Sequence, residues 1–158
     1  MNTQRPSLET LEASTRPSAT IRYATPSTQP GFQREAVSAL SFDDTLAQLK
    51  QRLAAEDLWL IHEIDPQKLL QRAGHEMGPA RQLLFFHPRY MLRLLATDPA
   101  ALIEAPLKLA LLESPDGTVR LRWFDPLASL DRYGHPDLRT LAREFHTLYA
   151  RLLDGIAA

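Results

Sequence analysis

Two residue patterns in this chain have types and spacing that could do chemistry. The first joins imidazole to carboxylate: His62-Glu63 stands near the end of one apolar run and His87 at the end of the next. If neighbouring strands carried these ends to one place, two imidazoles and a carboxylate would suit a metal ion, a haem or general-base chemistry. The second pattern is a pair of cations. Arg120 and Arg122 are two residues apart in an alternating run, so both leave the same face of a strand, and Lys108 on the preceding run is a third candidate. Such a basic strip suits a small anionic ligand, a carboxylate or phosphate. Its plainer alternative is a solvated sheet face, or ion pairs with Glu113, Asp125 or a second copy of the chain. Tyr90, Trp59 and Trp123 are large enough to line a pocket, but their strand and helix spacing places them in the core.

Other chemistries lack their residues. The chain has no cysteine, which removes disulfides, thiolate metal sites and cysteine nucleophiles. Its five histidines include no i, i+4 pair, and His75-Glu76 has no downstream histidine to complete a helical zinc motif. The six glycines form neither a GxGxxG nor a GxxxxGK loop, and no GxSxG elbow is present. No cofactor is therefore expected. Eighteen basic residues against nineteen acidic ones give a formal charge of -1, so the overall charge makes no case for nucleic acid or an anionic membrane as partner.

The elements that must position these residues follow from periodicity and punctuation. Residues 1–33 are rich in Ser, Thr, Pro and Gln and read as a disordered tail, passive or carrying a docking motif around Leu8, Leu11, Ile21 and Tyr23. The tail lacks the apolar run of a secretory signal, and Glu9, Glu12 and its prolines fit an organelle transit peptide poorly, so the expected location is cytoplasmic. Arg34 to Leu40 alternates as a first strand with Ala36 or Val37 inward. Ser41 followed by Asp44 opens a helix whose Phe42, Leu46, Leu49 and Leu53 share a face.

Leu58 to Ile64 is a second strand, stopped by Pro66, after which Gln67 to Ala73 forms a short helix ended at Gly74 and HEMGP a loop. Arg81 to Phe86 is the third strand. Leu83, Leu84, Phe85 and Phe86 are consecutive and apolar, so both of its faces need cover. Pro88 opens a short helix carrying Tyr90, Met91, Leu94 and Leu95, and Pro99 closes that segment. Leu107 to Glu113 and Thr118 to Phe124 form a hairpin around Ser114-Pro115-Asp116-Gly117. His135-Pro136-Asp137 starts a last helix with a stripe from Leu138 to Leu152, and Gly155 stops it.

The order is β-α-β(4)-α with two short inserted helices: an α+β domain over residues 34–156, its single, mostly antiparallel sheet carrying two long helices on one face. The other face would expose Phe124 and half of the third strand, which calls for a homodimer or a second cover.

The order of motifs resembles the bacterial family called domain of unknown function 302. The residues that carry the likeness are Phe42 with Thr45-Leu46, Leu60-Ile61-His62-Glu63-Ile64-Asp65, Arg81 to Pro88, Thr97-Asp98-Pro99, and the Pro106 to Phe124 hairpin. The resemblance implies a TATA-binding-protein-like arrangement, often dimeric, with no established activity and no catalytic residues to transfer. The chain departs from the family pattern at Glu56-Asp57-Leu58, where members commonly have Gly-Phe, and at His87-Pro88, where a pair such as Asn-Pro is common. The reading that results is a non-enzymatic, dimeric domain binding a small ligand or a protein partner through His62, Glu63, His87, Arg120 and Arg122. A metal or haem protein, or an enzyme, built on His62, Glu63 and His87 is the alternative. A third is an interaction module whose sheet face is consumed by a dimer.

Overall fold

The computed structural model of the chain describes residues 18–27 and 31–158. The expected disordered tail lies outside these for residues 1–17 and 28–30. Of the described part, Ala19–Thr20 (β1) is a two-residue strand and Gln33–Val37 (β2) opens the main sheet. Ser41 caps the helix Phe42–Ala55 (α1), its hydroxyl accepting from the Asp44 N–H at 3.1 Å. One detail differs from the expected stripe: Thr45 is buried and Leu46 only half-buried. Burying the threonine is inexpensive because its hydroxyl bonds the Ser41 carbonyl at 2.7 Å and the Ser38 hydroxyl at 2.7 Å.

The chain continues through Trp59–Ile64 (β3), Pro66–Arg72 (α2), His75–Glu76 (β4), Ala80–Phe86 (β5), Pro88–Thr97 (α3) and a 3₁₀ turn over Pro99–Glu104. Leu107–Glu113 (β6) and Val119–Phe124 (β7) then form the hairpin, followed by Pro126–Asp131 (α4) and Pro136–Leu153 (α5). Three of these elements were not expected. His75–Glu76 is not loop but pairs in parallel with Ala19–Thr20. Pro99 closes α3 yet also starts the 3₁₀ turn, with Asp98 as its cap. Asp125-Pro126 opens α4 by the same proline-first logic used elsewhere in the chain.

The main sheet has five strands in the order β2-β7-β6-β5-β3, every neighbouring pair antiparallel. The hairpin turn is as its residues demand: Gly117 has φ of +83° and Asp116 accepts from the Thr118 N–H at 2.9 Å. One sheet face carries Leu83, Phe85, Leu109, Leu111, Val119 and Leu121, all buried beneath α1 and α5. Burial on that scale contributes most to stability, about 1.5–3 kcal/mol for each large side chain removed from water. Phe86 leaves the strand alternation to meet Tyr90 of α3 and Phe145 of α5, with ring centroids 5.8 Å from each. Both phenylalanines at the end of β5 are therefore core, and α3 is bent back against the helix layer. Among the described residues no helix is long and apolar enough to cross a membrane.

Candidate functional site

The imidazole and carboxylate pattern is not assembled. His87 follows the end of β5, and because β3 runs antiparallel to β5, that end meets the start of β3: Phe86 pairs with Trp59. His62 sits further along, opposite Leu84, roughly 10 Å away at strand rise. The expectation paired the ends of two neighbouring strands, which holds only for parallel neighbours. Glu63 points to the opposite face from His62 and is engaged by Lys50 Nζ at 2.6 Å and Arg81 Nε at 3.2 Å. His62 is exposed on the edge strand. Among the described residues no group of three His, Asp or Glu side chains could hold a metal ion.

His87 has a different task. Its Nδ1 accepts the Arg89 N–H at 3.0 Å, capping α3, and Nε2 lies 3.3 Å from Asp57 Oδ2. Asp57 also takes Arg89 Nη1 at 3.0 Å. Its φ is +54°, the left-handed conformation that glycine adopts freely and aspartate tolerates. This residue closes α1: the Leu58 N–H bonds the Leu53 carbonyl at 2.8 Å and the Asp57 N–H that of Ala54 at 3.1 Å.

The cation pattern is assembled. Arg120 and Arg122 project from the face of the sheet that the helices do not cover, beside Ala110 and Leu112 of β6. Glu35 on β2 lies opposite Arg122 and takes one guanidinium on each oxygen: Arg120 Nη1 on Oε1 at 2.9 Å and Arg122 Nη2 on Oε2. Lys108 has the same alternation but does not line the site of the two arginines, and its backbone carbonyl accepts the Tyr149 hydroxyl at 3.1 Å. The expected alternative partners, Asp125 and Glu113, are not used. Asp125 is buried and bound by Arg34, at 2.8 Å from Nε and 2.7 Å from Nη2.

Part of this face has a cover from the chain itself. After β1 is tied to β4, with the Ala19 N–H on the Gly74 carbonyl and the Ile21 N–H on that of Glu76, residues 22–27 run past the β6–β7 turn. Between this strap and the sheet lies an open groove of about 1040 Å³. Its floor is Ala110 and Leu112, and its charges are Arg22, Arg120, Arg122 and Glu35. Only Arg120 and Arg122 are among the residues expected from the sequence. Glu35 is legible there as an alternating strand residue, but no local signal pairs it with Arg120, 85 positions away. Arg22 and Tyr23 lie in the stretch whose composition reads as a tail.

The sequence model of the family described as "Domain of unknown function DUF302" matches residues 34–156. A crystal structure of an uncharacterized conserved protein DUF302 from Bacillus stearothermophilus superposes with a TM-score of 0.72 at 20% identity, covering 80% of this chain and 98% of that one. At that identity the likeness shows the fold. No curated protein matches the chain.

Proposed function

The chain belongs to the family of domains of unknown function DUF302, and from that premise we propose that it is a non-enzymatic binding domain that takes a small anionic ligand in the groove beneath the strap. The observation that carries this reading is the arrangement of Arg120 and Arg122 on one half-buried strand face with Glu35 between them. Each guanidinium has five N–H donors and gives Glu35 a single close contact, so both retain donors that can face a carboxylate or phosphate. The volume stands at the upper limit of small-molecule sites, and the apolar floor beside charged walls matches their usual composition.

Calorimetric titration with inorganic phosphate and phenyl phosphate tests the proposal. Saturable binding by the native chain, weakened at least about tenfold in the Arg120→Gln/Arg122→Gln variant, is the expected result. Equal heats from both proteins would sink it.

A homodimer is the second part of the proposal, supported by the outer edge of β3, which pairs with no strand among the described residues. Trp59, Leu60 and Ile61 are 58%, 38% and 55% exposed there, consecutive and apolar, so Trp59 is not in the core as its spacing suggested, because β3 is an edge strand. An open apolar edge is a template for another strand. At the opposite edge of the sheet, chain-terminal residues bond to β2 and its extension: the Ala158 N–H to the Val37 carbonyl and the Ala39 N–H to that of Ile156. Sedimentation at micromolar concentration should show a dimer that Ile61→Lys converts to monomer; a native chain that sediments as monomer refutes this part.

A further inference from the structure

The strap is built differently from the domain it crosses. None of residues 18–27 belongs to the buried core, and most of them are exposed. A two-residue strand pair anchors it at one end, and past this pair comes Tyr23. The Tyr23 hydroxyl is buried and has no hydrogen-bond partner among the described residues. It lies against Gly78, where an added methyl group would sit 3.7 Å from the tyrosine oxygen, in ordinary contact. A segment held by a short strand pair and one tucked ring, one of whose buried polar atoms goes unpaired, sits at the low-stability end of the molecule.

The strap also brings charge. Arg22 lines the groove with Arg120 and Arg122, and Glu35 is the carboxylate among its lining residues. Three guanidiniums against one carboxylate leave two positive charges, and the floor of Ala110 and Leu112 offers contact to an apolar body. That combination fits an organic dianion, such as a phosphate monoester or a short dicarboxylate with a hydrocarbon part, better than a bare inorganic ion.

We propose that residues 18–27 are a movable wall of the groove, closing on an organic dianion through Arg22 while Arg120 and Arg122 hold it from the sheet. This rests on the anion-binding reading of the same groove. Ligand and strap are then coupled: whatever binds both walls shifts the strap toward its docked state by its differential affinity for that state.

The chain supplies its own reporter. Of the arginines in residues 1–33, Arg5 and Arg16 precede proline, and no lysine is present, so Arg22-Tyr23 is the bond of that segment open to trypsin. Cleavage there in the full chain, followed by intact mass, reads the undocked population. Saturating phenyl phosphate should slow it about tenfold. Tyr23→Ala should speed it in the absence of ligand and weaken phenyl phosphate binding in the calorimeter, with the thermal midpoint of the core unchanged. Arg22→Gln, measured by calorimetry alone, should bind phenyl phosphate about fivefold more weakly.

If phenyl phosphate binds the native chain but leaves the cleavage rate unaltered, or if Arg22→Gln binds as tightly as native, the movable wall is refuted and the groove reading stands. If the native chain binds neither phosphate nor phenyl phosphate, the groove reading fails and takes the wall with it.

Discussion

Asp57 and His87 face each other across the junction of α1 and α3, Oδ2 of the one 3.3 Å from Nε2 of the other, and the aspartate reaches that position only by adopting φ of +54°. The left-handed conformation sets the end of α1 and the carboxylate ties it to the start of α3, two demands that few residues meet together.

Substitutions at Asp57 separate these demands. Its side chain is 75% exposed, so its ion pair with Arg89 and its contact with His87 contribute little, on the order of a few tenths of a kcal/mol. The backbone conformation matters more. Asp57→Gly should lie within about 0.5 kcal/mol of the native chain in urea unfolding, whereas Asp57→Ala should fall about 1 kcal/mol below Asp57→Gly. An alanine variant as stable as the glycine variant would show that the left-handed geometry costs nothing here.

Some of this fold is displayed in the sequence and some is hidden by it. The double-faced apolar strand Leu83 to Phe86, the Asp116-Gly117 turn and the helical stripe of α5 are local patterns, and each is readable because its physical cause lies within a few residues. The partners of the charges are not. Glu35 with Arg120 and Asp125 with Arg34 depend on which strands become neighbours, with 85 and 91 residues between the partners. The expected meeting of His62 and His87 fails for the same reason, since strand direction decides which ends meet. Ala19–Thr20 is invisible because two residues with exposed side chains carry no periodic signal.

The second prediction concerns the two His-Pro helix starts. His87 Nδ1 accepts from the Arg89 N–H at 3.0 Å and His135 Nδ1 from the Asp137 N–H at 3.1 Å, each with proline at the first helical position. Both imidazoles thus act as N-caps. Replacing either by alanine should cost about 1 kcal/mol, and asparagine, itself a good cap, should recover most of it. Phenyl phosphate affinity should be unchanged in His87→Asn. A loss of binding there would return His87 to the ligand site.

A third prediction gives a pH limb. The Glu144 carboxyl is held below its ordinary range by hydrogen bonds from the Arg93 guanidinium, at 2.6 and 2.7 Å, with partial burial opposing and the charge attraction assisting. The same bonds raise Arg93. For a carboxylate lowered in the folded state, the stabilisation is present above its unfolded pKa and disappears as pH falls through the lowered folded value. Arg93 stays charged throughout that range and does not shape the limb. Both side chains are more than a third exposed, so the contribution is about 0.5 kcal/mol. Stability curves of native and Glu144→Gln should differ by that amount at neutral pH and converge in acid; parallel curves down to the acid transition would contradict the assignment.

The fourth prediction asks what Glu35 does between its two arginines. It neutralises one of the two charges that the sheet offers a ligand, and it holds both guanidiniums on one side of the strand. If its charge dominates, Glu35→Gln should tighten phenyl phosphate binding. At separations near 6 Å in a half-exposed setting, removing one negative charge is worth about 1 kcal/mol, or roughly fivefold in affinity. Folding stability should fall slightly, because the amide leaves two adjacent like charges less well compensated. If positioning dominates instead, Glu35→Gln should weaken binding, because freed arginine side chains must be ordered again by the ligand at about 0.5–1.5 kcal/mol each. The amide keeps the shape of the acid and one of its two acceptor oxygens, so one arginine stays positioned while the other is released, and the loss of charge prevails. The salt dependence of binding supplies the second readout: a groove with one carboxylate fewer should lose affinity more steeply as ionic strength rises.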